Sequence, residues 1–335
     1  MKRVLLITGP GSDAQGWGDM KVTDHMRDAL VQAGIAAEVA YVETWPEFIR
    51  AIEHSTYDIA WSSLYFLSRE TQVIGIGGDD TQWVADELDA RGIPYIGPNA
   101  QAMKNLIQKH ATHRILAQNG VPAPANHLVT SLDAIPELAF PAFVKPDCES
   151  RSLGISDASV VMSRAELEAR VAFVLDTFRQ PALVEEYLPG AEYTVLMLGN
   201  GPHQELLPGI VNVDAFHYGK YHILRSDLRG VGLTRLSIPD TRAEEARELA
   251  RRAGEVLGCR DHVRVDMRVD AGGRLRIIEV NGIPGLKPVK SWSPQLYSLY
   301  HPSPRGPEME YREMLRLIVQ SALAGSAQKF KLNAD

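Results

Sequence analysis

The stretch from 264 to 287 constrains this chain more than any other. It reads Arg264-Val265-Asp266-Met267-Arg268-Val269-Asp270, then Ala271-Gly272-Gly273, then Arg274-Leu275-Arg276-Ile277-Ile278-Glu279-Val280-Asn281 and Gly282-Ile283-Pro284-Gly285. Both arms are rich in branched apolar residues and glycines sit between them, which marks a β-hairpin. A two-residue Gly272-Gly273 turn, with positive φ at both positions, sets Asp266 opposite Glu279 and Arg264 opposite Asn281. Strand side chains alternate with period two, so all four project from one face. Carboxylates that face each other across a ladder repel. Either the face is solvated and Arg268, Arg274 and Arg276 neutralise it, or a hard cation fills the gap. Mg²⁺ suits such a gap, because it prefers carboxylate oxygens and shares its shell with substrate phosphates. Asn281 would add a neutral oxygen and Arg264 a positive fork for an oxyanion.

A chain of 335 residues has room for two or three domains. Its net charge of −7 argues against a broad nucleic-acid footprint, though not against local basic clefts. Cys148 and Cys259 supply neither a disulfide framework nor zinc spacing, which fits a reducing cytoplasm. The apolar run after Arg3 is too short for a signal peptide, and no run is long enough to span a membrane. The expectation is therefore a cytoplasmic protein with no nucleic-acid and no membrane partner.

Up to about residue 97, strand and helix patterns alternate, which implies a parallel sheet covered by helices. Strands are expected at 4–8, 37–42 and 58–61, helices at 20–33, 45–53 and 82–91, and an acid-rich glycine loop at 75–80. The loop Gly9-Pro10-Gly11-Ser12-Asp13 matches a dinucleotide fingerprint poorly, since position 14 is Ala. A single helix is expected over 101–118, with His110 and His113 as surface histidines one turn apart. Phe143-Val144-Lys145-Pro146 reads as a short strand leading into a small polar loop at 147–155, where backbone N–H groups can cradle phosphate. Cys148 has no base at a recognisable spacing and is not taken as a nucleophile. Strands follow at 182–188 and 192–198, an irregular aromatic and basic loop at 216–229, a helix at 242–257, and a last helix at 310–324.

In order, these pieces resemble the ATP-grasp superfamily and, within it, the D-alanine–D-alanine ligase family. The similarity rests on Arg264-x-Asp266 with Glu279-Val280-Asn281-Gly282-Ile283-Pro284-Gly285, on Phe143-Val144-Lys145-Pro146 with Gly154, and on Glu185-Glu186-Tyr187-Leu188-x-Gly190-x-Glu192. It implies an α/β fold, α+β in its C-terminal two-thirds: an ATP-grasp fold behind an N-terminal parallel-sheet domain. The implied domains are 1–98, 99–193 and 194–325, with a tail at 326–335. By this resemblance Lys109 and Lys145 hold ATP phosphates, with Glu149, Ser152 and Gly154 in the adjoining loop. Glu185 receives the adenine amino group beside Leu188, and Glu192 binds the ribose. Lys220 and Tyr221 belong to a loop near the transferred phosphate, with 216–229 as a closing lid. Asp266, Glu279 and Asn281 match the Mg²⁺ ligands, with Mn²⁺ able to substitute, and Arg264 steadies the reacting oxygens. The implied reaction is ATP-dependent ligation of a carboxylate to an amine through an acyl phosphate, in a homodimer.

Three departures fall where substrates are read. Arg151 stands where the family places its first loop serine, and Gln15 stands where a glutamate holds the donor's amino group, with Asp13 and Asp19 nearby. After Pro284-Gly285 the chain runs Leu286-Lys287-Pro288-Val289-Lys290-Ser291 in place of a Met-Thr segment and an acceptor-binding serine. Gln15, Arg151, Gly282, Lys290 and Ser291 are thus the candidate contacts to amino-acid-like substrates that are not two D-alanines. Three alternatives stay open: a true D-alanine–D-alanine ligase, a nucleotide-binding protein without ligase activity and, more remotely, a dinucleotide-dependent oxidoreductase.

Overall fold

A computed structural model describes residues 1–75, 81–229 and 232–332. Residues 76–80 of the glycine loop expected over 75–80 lie outside the described residues, as do 230 and 231. Strands β1 (Arg3–Thr8), β2 (Ala36–Tyr41), β3 (Ile59–Ser62) and β4 (Tyr95–Ile96) make a sheet in the order β2-β1-β3-β4. All of its pairings are parallel. Helices α1 (Ser12–Gln15), α2 (Met20–Gln32), α3 (Trp45–His54) and α4 (Val84–Ala90) supply the crossovers. Val4, Leu5, Leu6 and Ile7 are all buried, as a central parallel strand covered on both faces requires.

The helix expected over 101–118 is two helices, α5 (Ala100–Ile107) and α6 (Lys109–Gln118). Gln108 between them is extended, at φ −99 and ψ 106. Asp147 is the cause. Its carbonyl accepts from Lys109 N at 3.2 Å and its carboxylate from His110 N at 2.8 Å. The first free N–H groups of α6 are thereby capped from another element, and the kink plants Lys109 at a helix start.

A second sheet contains β5 (Asn126–Val129), β6 (Ala142–Pro146), β7 (Val160–Val161) and, after α7 (Arg164–Phe178), β8 (Ala182–Glu186). Its order is β5-β8-β6-β7, antiparallel throughout. Leu167, Val171 and Val174 of α7 pack on Val144 and Val184. A third sheet has β9 (Glu192–Leu198), β10 (Glu205–Val213), β11 (Thr234–Ser237) and, after α8 (Ala243–Leu257), β12 (His262–Val269) and β13 (Leu275–Asn281). Its order is β11-β10-β9-β12-β13. Val263, Val265 and Met267 share a core with Leu249, Ala250 and Ala253 of α8. The intervening His262, Arg264, Asp266 and Arg268 are just as buried, so this strand has a dry face and a polar one.

Helix α9 (Trp292–Tyr300) occupies the Pro- and aromatic-rich segment where no helix was expected. Helix α10 (Pro307–Leu332) starts earlier than 310 and runs past the expected tail boundary at 326. Met314, Leu315, Ile318 and Val319 enter the same core as Leu5, Met26 and Leu30, so the last helix packs with the first sheet. Among the described residues no helix is long and apolar enough to cross a membrane.

Candidate active site

The hairpin of β12 and β13 sets the site. Asp266 pairs with Glu279 and Arg264 with Asn281, as the sequence leads one to expect, but the route differs. The turn is wider than two residues. Val269 pairs with Leu275, and Asp270 closes the loop by accepting from Gly273 N and Arg274 N. Only Gly273, not Gly272, has positive φ. The register then shifts by one residue, leaving Ile278 as a bulge between Ile277, opposite Met267, and Glu279, opposite Asp266. The wider turn and the bulge cancel, so the carboxylates still face each other.

Two buried cations hold them. Arg264 grips Asp266 bidentately, Nε to Oδ1 at 2.9 Å and Nη2 to Oδ2 at 2.7 Å. Thr194 donates to Oδ1 at 2.7 Å and Asn281 Nδ2 to Oδ2 at 3.1 Å. Lys109 Nζ lies 3.1 Å from Glu279 Oε1 and also donates to the carbonyls of Asp147 and Glu149. Burial disfavours charge on Lys109 and Arg264, yet Glu279 and Asp266 outweigh it and hold both pKa values up. The solvated-hairpin alternative fails: Arg274 and Arg276 serve Asp270, and Arg268 lies 3.8 Å from Glu192.

One cleft is lined by Lys109, Lys145, Glu149, Ser152, Glu185, Leu188, Glu192, Asp266 and Glu279. At its base Lys145 Nζ sits 2.7 Å from Glu185 Oε1, both side chains less than a tenth exposed. Burial raises the Glu185 pKa, and Lys145 opposes that. The bulged Ile278 carbonyl faces Lys145 at 3.5 Å and His113 Nε2 at 3.2 Å. His113 is no surface residue: it is fully buried, and burial followed by the charge of Lys145 pushes its pKa down to about 3.

The loop after β6 turns through left-handed residues, with φ 55 at Arg151, 57 at Ser152 and 75 at Gly154. A Cβ at Gly154 would meet Phe178 at 2.7 Å. Arg170 clamps the Gly154 carbonyl and the Ser159 hydroxyl. Glu149 is a buried residue of this loop. Its carboxylate accepts from Ile74 N and Gly75 N, each at 3.0 Å, and from Gln180 Nε2 at 2.7 Å. It anchors the first sheet's loop to the second sheet at the edge of the cleft. Burial pushes the neighbouring Cys148 thiol up, so it stays protonated.

A second cavity of about 1030 Å³ opens beside Arg264, Glu279 and Asn281 and reaches Gln15, Arg151, Lys287, Lys290 and Ser291. Gln15 lines it without a free amide: Oε1 accepts from Tyr65 N and Phe66 N, and Nε2 donates to the Phe66 carbonyl. It is a brace for the segment after β3, not an open ammonium acceptor. Gly282 faces Met103, Leu106 and the Tyr65 hydroxyl. Arg151 pairs with Asp13 at 2.8 Å, and the Ser291 hydroxyl accepts from Lys287 N at 3.0 Å. Lys220 and Tyr221 line neither cavity. Lys220 is exposed, and its backbone N–H donates to Asp157 at 2.7 Å. Tyr221 stacks edge-on to Tyr187.

Thr194, His113 and Lys287 are the residues that sequence reasoning missed. Thr194 pairs with Asp266 and lies two residues past Glu192, so strand alternation alone could have found it. His113 depended on the break at Gln108, which no local pattern signals.

A family model described as the D-ala D-ala ligase C-terminus matches residues 115–299. The D-alanine–D-alanine ligase of Desulforudis audaxviator is 30% identical over 293 residues, 85% of this chain and 88% of that protein. Two crystal structures share the fold. The Bacillus anthracis D-alanine–D-alanine ligase complexed with ATP has a TM-score of 0.71 at 19% identity, covering 98% of this chain and 100% of that one. The VanG D-Ala:D-Ser ligase of Enterococcus faecalis has a TM-score of 0.66 at 17% identity, covering 96% of this chain and 99% of that one. Because the family model spans more than half of the chain and the bacterial relative nearly all of it, this protein belongs to the D-alanine–D-alanine ligase family of ATP-grasp ligases, enzymes that form carbon–nitrogen bonds.

Proposed function

We propose that this ATP-dependent ligase joins a carboxylate to an amine on amino-acid-like substrates that are not two D-alanines. The observation that carries the ligase chemistry is the opposed Asp266–Glu279 pair, Asp266 buried and Glu279 partly so, flanked by Arg264 and Lys109. The donor's carboxylate oxygen takes the terminal phosphoryl of ATP and ADP leaves. The amine nitrogen then bonds to the acyl carbon, the carbon–oxygen bond to phosphate breaks, and the ammonium proton goes to solvent. Phosphoryl transfer asks a protein mainly for position and charge neutralisation, which Lys109 and Lys145 supply from buried sites. Arg264 would meet the oxyanion of the tetrahedral intermediate.

Asp266, Glu279 and Asn281 would hold Mg²⁺. Their oxygens form the hard donor set that ion prefers, and two opposed carboxylates call for a cation between them. When bound, Mg²⁺ would neutralise phosphate charge. The substrate reading is supported by Gln15, whose amide is consumed, and by Lys287 and Lys290 on the turn before Ser291. The Desulforudis relative favours a second reading, D-alanine with D-alanine.

The test is an incubation with ATP and Mg²⁺ against a panel of amino acids of both hands, scored by product mass and ADP release. One ADP per condensed product, from a pair other than two D-alanines, is expected. Product from D-alanine alone, at rates no other pair matches, would establish the second reading instead.

A further inference from the structure

The turn that closes the 1030 Å³ cavity opposite Arg151 is built rather than loose. Lys287 N donates to the Ser291 hydroxyl at 3.0 Å, and the Lys287 carbonyl accepts from Ser291 N at 2.9 Å and Lys290 N at 3.2 Å. Gln295 Nε2 fixes the Lys290 carbonyl at 2.8 Å. Just upstream, Leu286 is fully buried, its N–H on the Trp17 carbonyl and its own carbonyl on the Tyr311 hydroxyl.

This pinned turn holds Val289 at φ 62, a conformation that branched side chains avoid, and leaves it 61% exposed. Strain of that kind persists where surrounding bonds over-determine it. Its effect is to hold two lysines on one short turn at the cavity edge. Most other cations of the cavity are spoken for: Arg264 by Asp266, Lys109 by Glu279, Arg151 by Asp13 and Arg235 by Asp214. Lys287 and Lys290 have no ion pair among the described residues. The cavity also matches the upper end of the about 300–1,000 Å³ that drug-sized ligands occupy, far more than two alanine-sized substrates need.

From this we infer that Lys287 and Lys290 read an amine substrate carrying two anionic groups, an acidic amino acid or a short peptide ending in one. The inference rests on the ligase reading and names the acceptor class for it. One lysine meets the carboxylate common to any amino-acid acceptor and the other meets the side-chain carboxylate, while Val289 covers the methylenes between them.

The test compares isosteres. Glutamate against glutamine and aspartate against asparagine, in both hands, serve as acceptors with each candidate donor, alongside alanyl-glutamate against alanyl-glutamine. Hydroxylamine, a neutral nucleophile that needs no acceptor site, traps the acyl phosphate as a hydroxamate. The acidic member is expected to lead in kcat/KM by at least tenfold, chiefly through KM. Which arm leads, free amino acid or dipeptide, fixes the acceptor's length. Lys287→Ala and Lys290→Ala should each collapse the ratio, Lys290→Arg should restore it, and Lys290→Glu should move preference toward lysine. Hydroxamate formation with an acidic-to-neutral ratio near one, or a ratio indifferent to both alanine variants, overturns the inference and leaves the ligase reading standing. Absence of both hydroxamate and ADP overturns the two together.

Discussion

Lys145 and Glu185 show what a buried charged pair in the cleft costs a fold. Their 2.7 Å pair is buried, and Glu185 Oε2 has no hydrogen-bond partner among the described residues. Buried pairs add little net stability, but breaking one leaves an uncompensated charge worth about 3–5 kcal/mol. Lys145→Ala is therefore expected to lower the melting temperature markedly and raise KM for ATP at least tenfold. Adding Glu185→Gln to it should recover much of the stability and none of the ATP affinity. Thermal melts and ATP titrations on the single and double variants separate the two effects; a double variant that regains ATP binding would remove Lys145 from the nucleotide site. Arg264 differs, because its partner Asp266 keeps a donor from Thr194 and another from Asn281. Arg264→Lys cannot reproduce the bidentate grip. It should reduce kcat by roughly a hundredfold, about 2.7 kcal/mol at the transition state, with KM for ATP little changed. A KM effect alone would place Arg264 with the nucleotide rather than the oxyanion.

At the scale of elements, the hairpin was legible where chemistry required it and illegible where only geometry decided. The pairing of Asp266 with Glu279 was reached through a two-residue turn that the structure does not have, and it stands because the wider turn and the bulge cancel. The wide turn depends on Asp270 closing the loop through Arg274 and Arg276, and the bulge at Ile278 depends on Lys145 and His113 arriving at its carbonyl. The first set lies within six residues, but the second is more than a hundred residues away. The break between α5 and α6 has the same origin, since Asp147 caps Lys109 and His110 from across the fold. The bracing role of Gln15 was illegible for a related reason: alignment of position said nothing of Tyr65 and Phe66, whose N–H groups its amide oxygen accepts. The stretch 216–229 gives a further prediction. Gly219 abuts the Asp157 carboxylate so closely that a Cβ there would lie inside van der Waals contact, while Lys220 N donates to the same group. If this stretch closes over the reaction, Gly219→Ala should prise it off. The expected outcome is a kcat for amide formation lowered by roughly tenfold, about 1.4 kcal/mol. ADP release should then exceed product, because an uncovered acyl phosphate meets water. Tight coupling in the variant would deny the stretch a covering role.

For the molecule as a whole, the first sheet is tied to the other two by side chains, not only by the shared core of α10. Glu149 holds Ile74 and Gly75, Arg151 reaches Asp13, and Asp261 Oδ2 accepts from Gly97 N at 2.8 Å. Two more ties run through buried histidines. His113 joins α6 to the Ile278 carbonyl, and His262 joins β12 to the Ser293 hydroxyl in the first turn of α9. Their surroundings oppose protonation. His113 faces Lys145, Lys109 and His110, with Glu185 Oε2 3.8 Å away, and His262 lies near Arg264 and Trp61. Burial, then those cations, takes both from 6.5 down to about 3. The sign follows from linkage: above pH 6.5 both states are neutral and stability is intact. Below it the unfolded chain binds protons that the fold refuses, so stability drains away until about pH 3. Asp270 acts lower: Arg274 N and then Arg276 hold it at about 2, so its share is lost only as pH falls from the ordinary carboxylate range toward that value. The melting temperature is thus expected to decline from pH 6.5 to pH 4. His113→Gln with His262→Gln keeps an amide donor at each tie and removes the titration. That double variant should melt lower than the native chain at pH 8 yet show a flatter profile below it. Parallel profiles for the two proteins would mean that other groups, and not these histidines, set the acid limit of the fold.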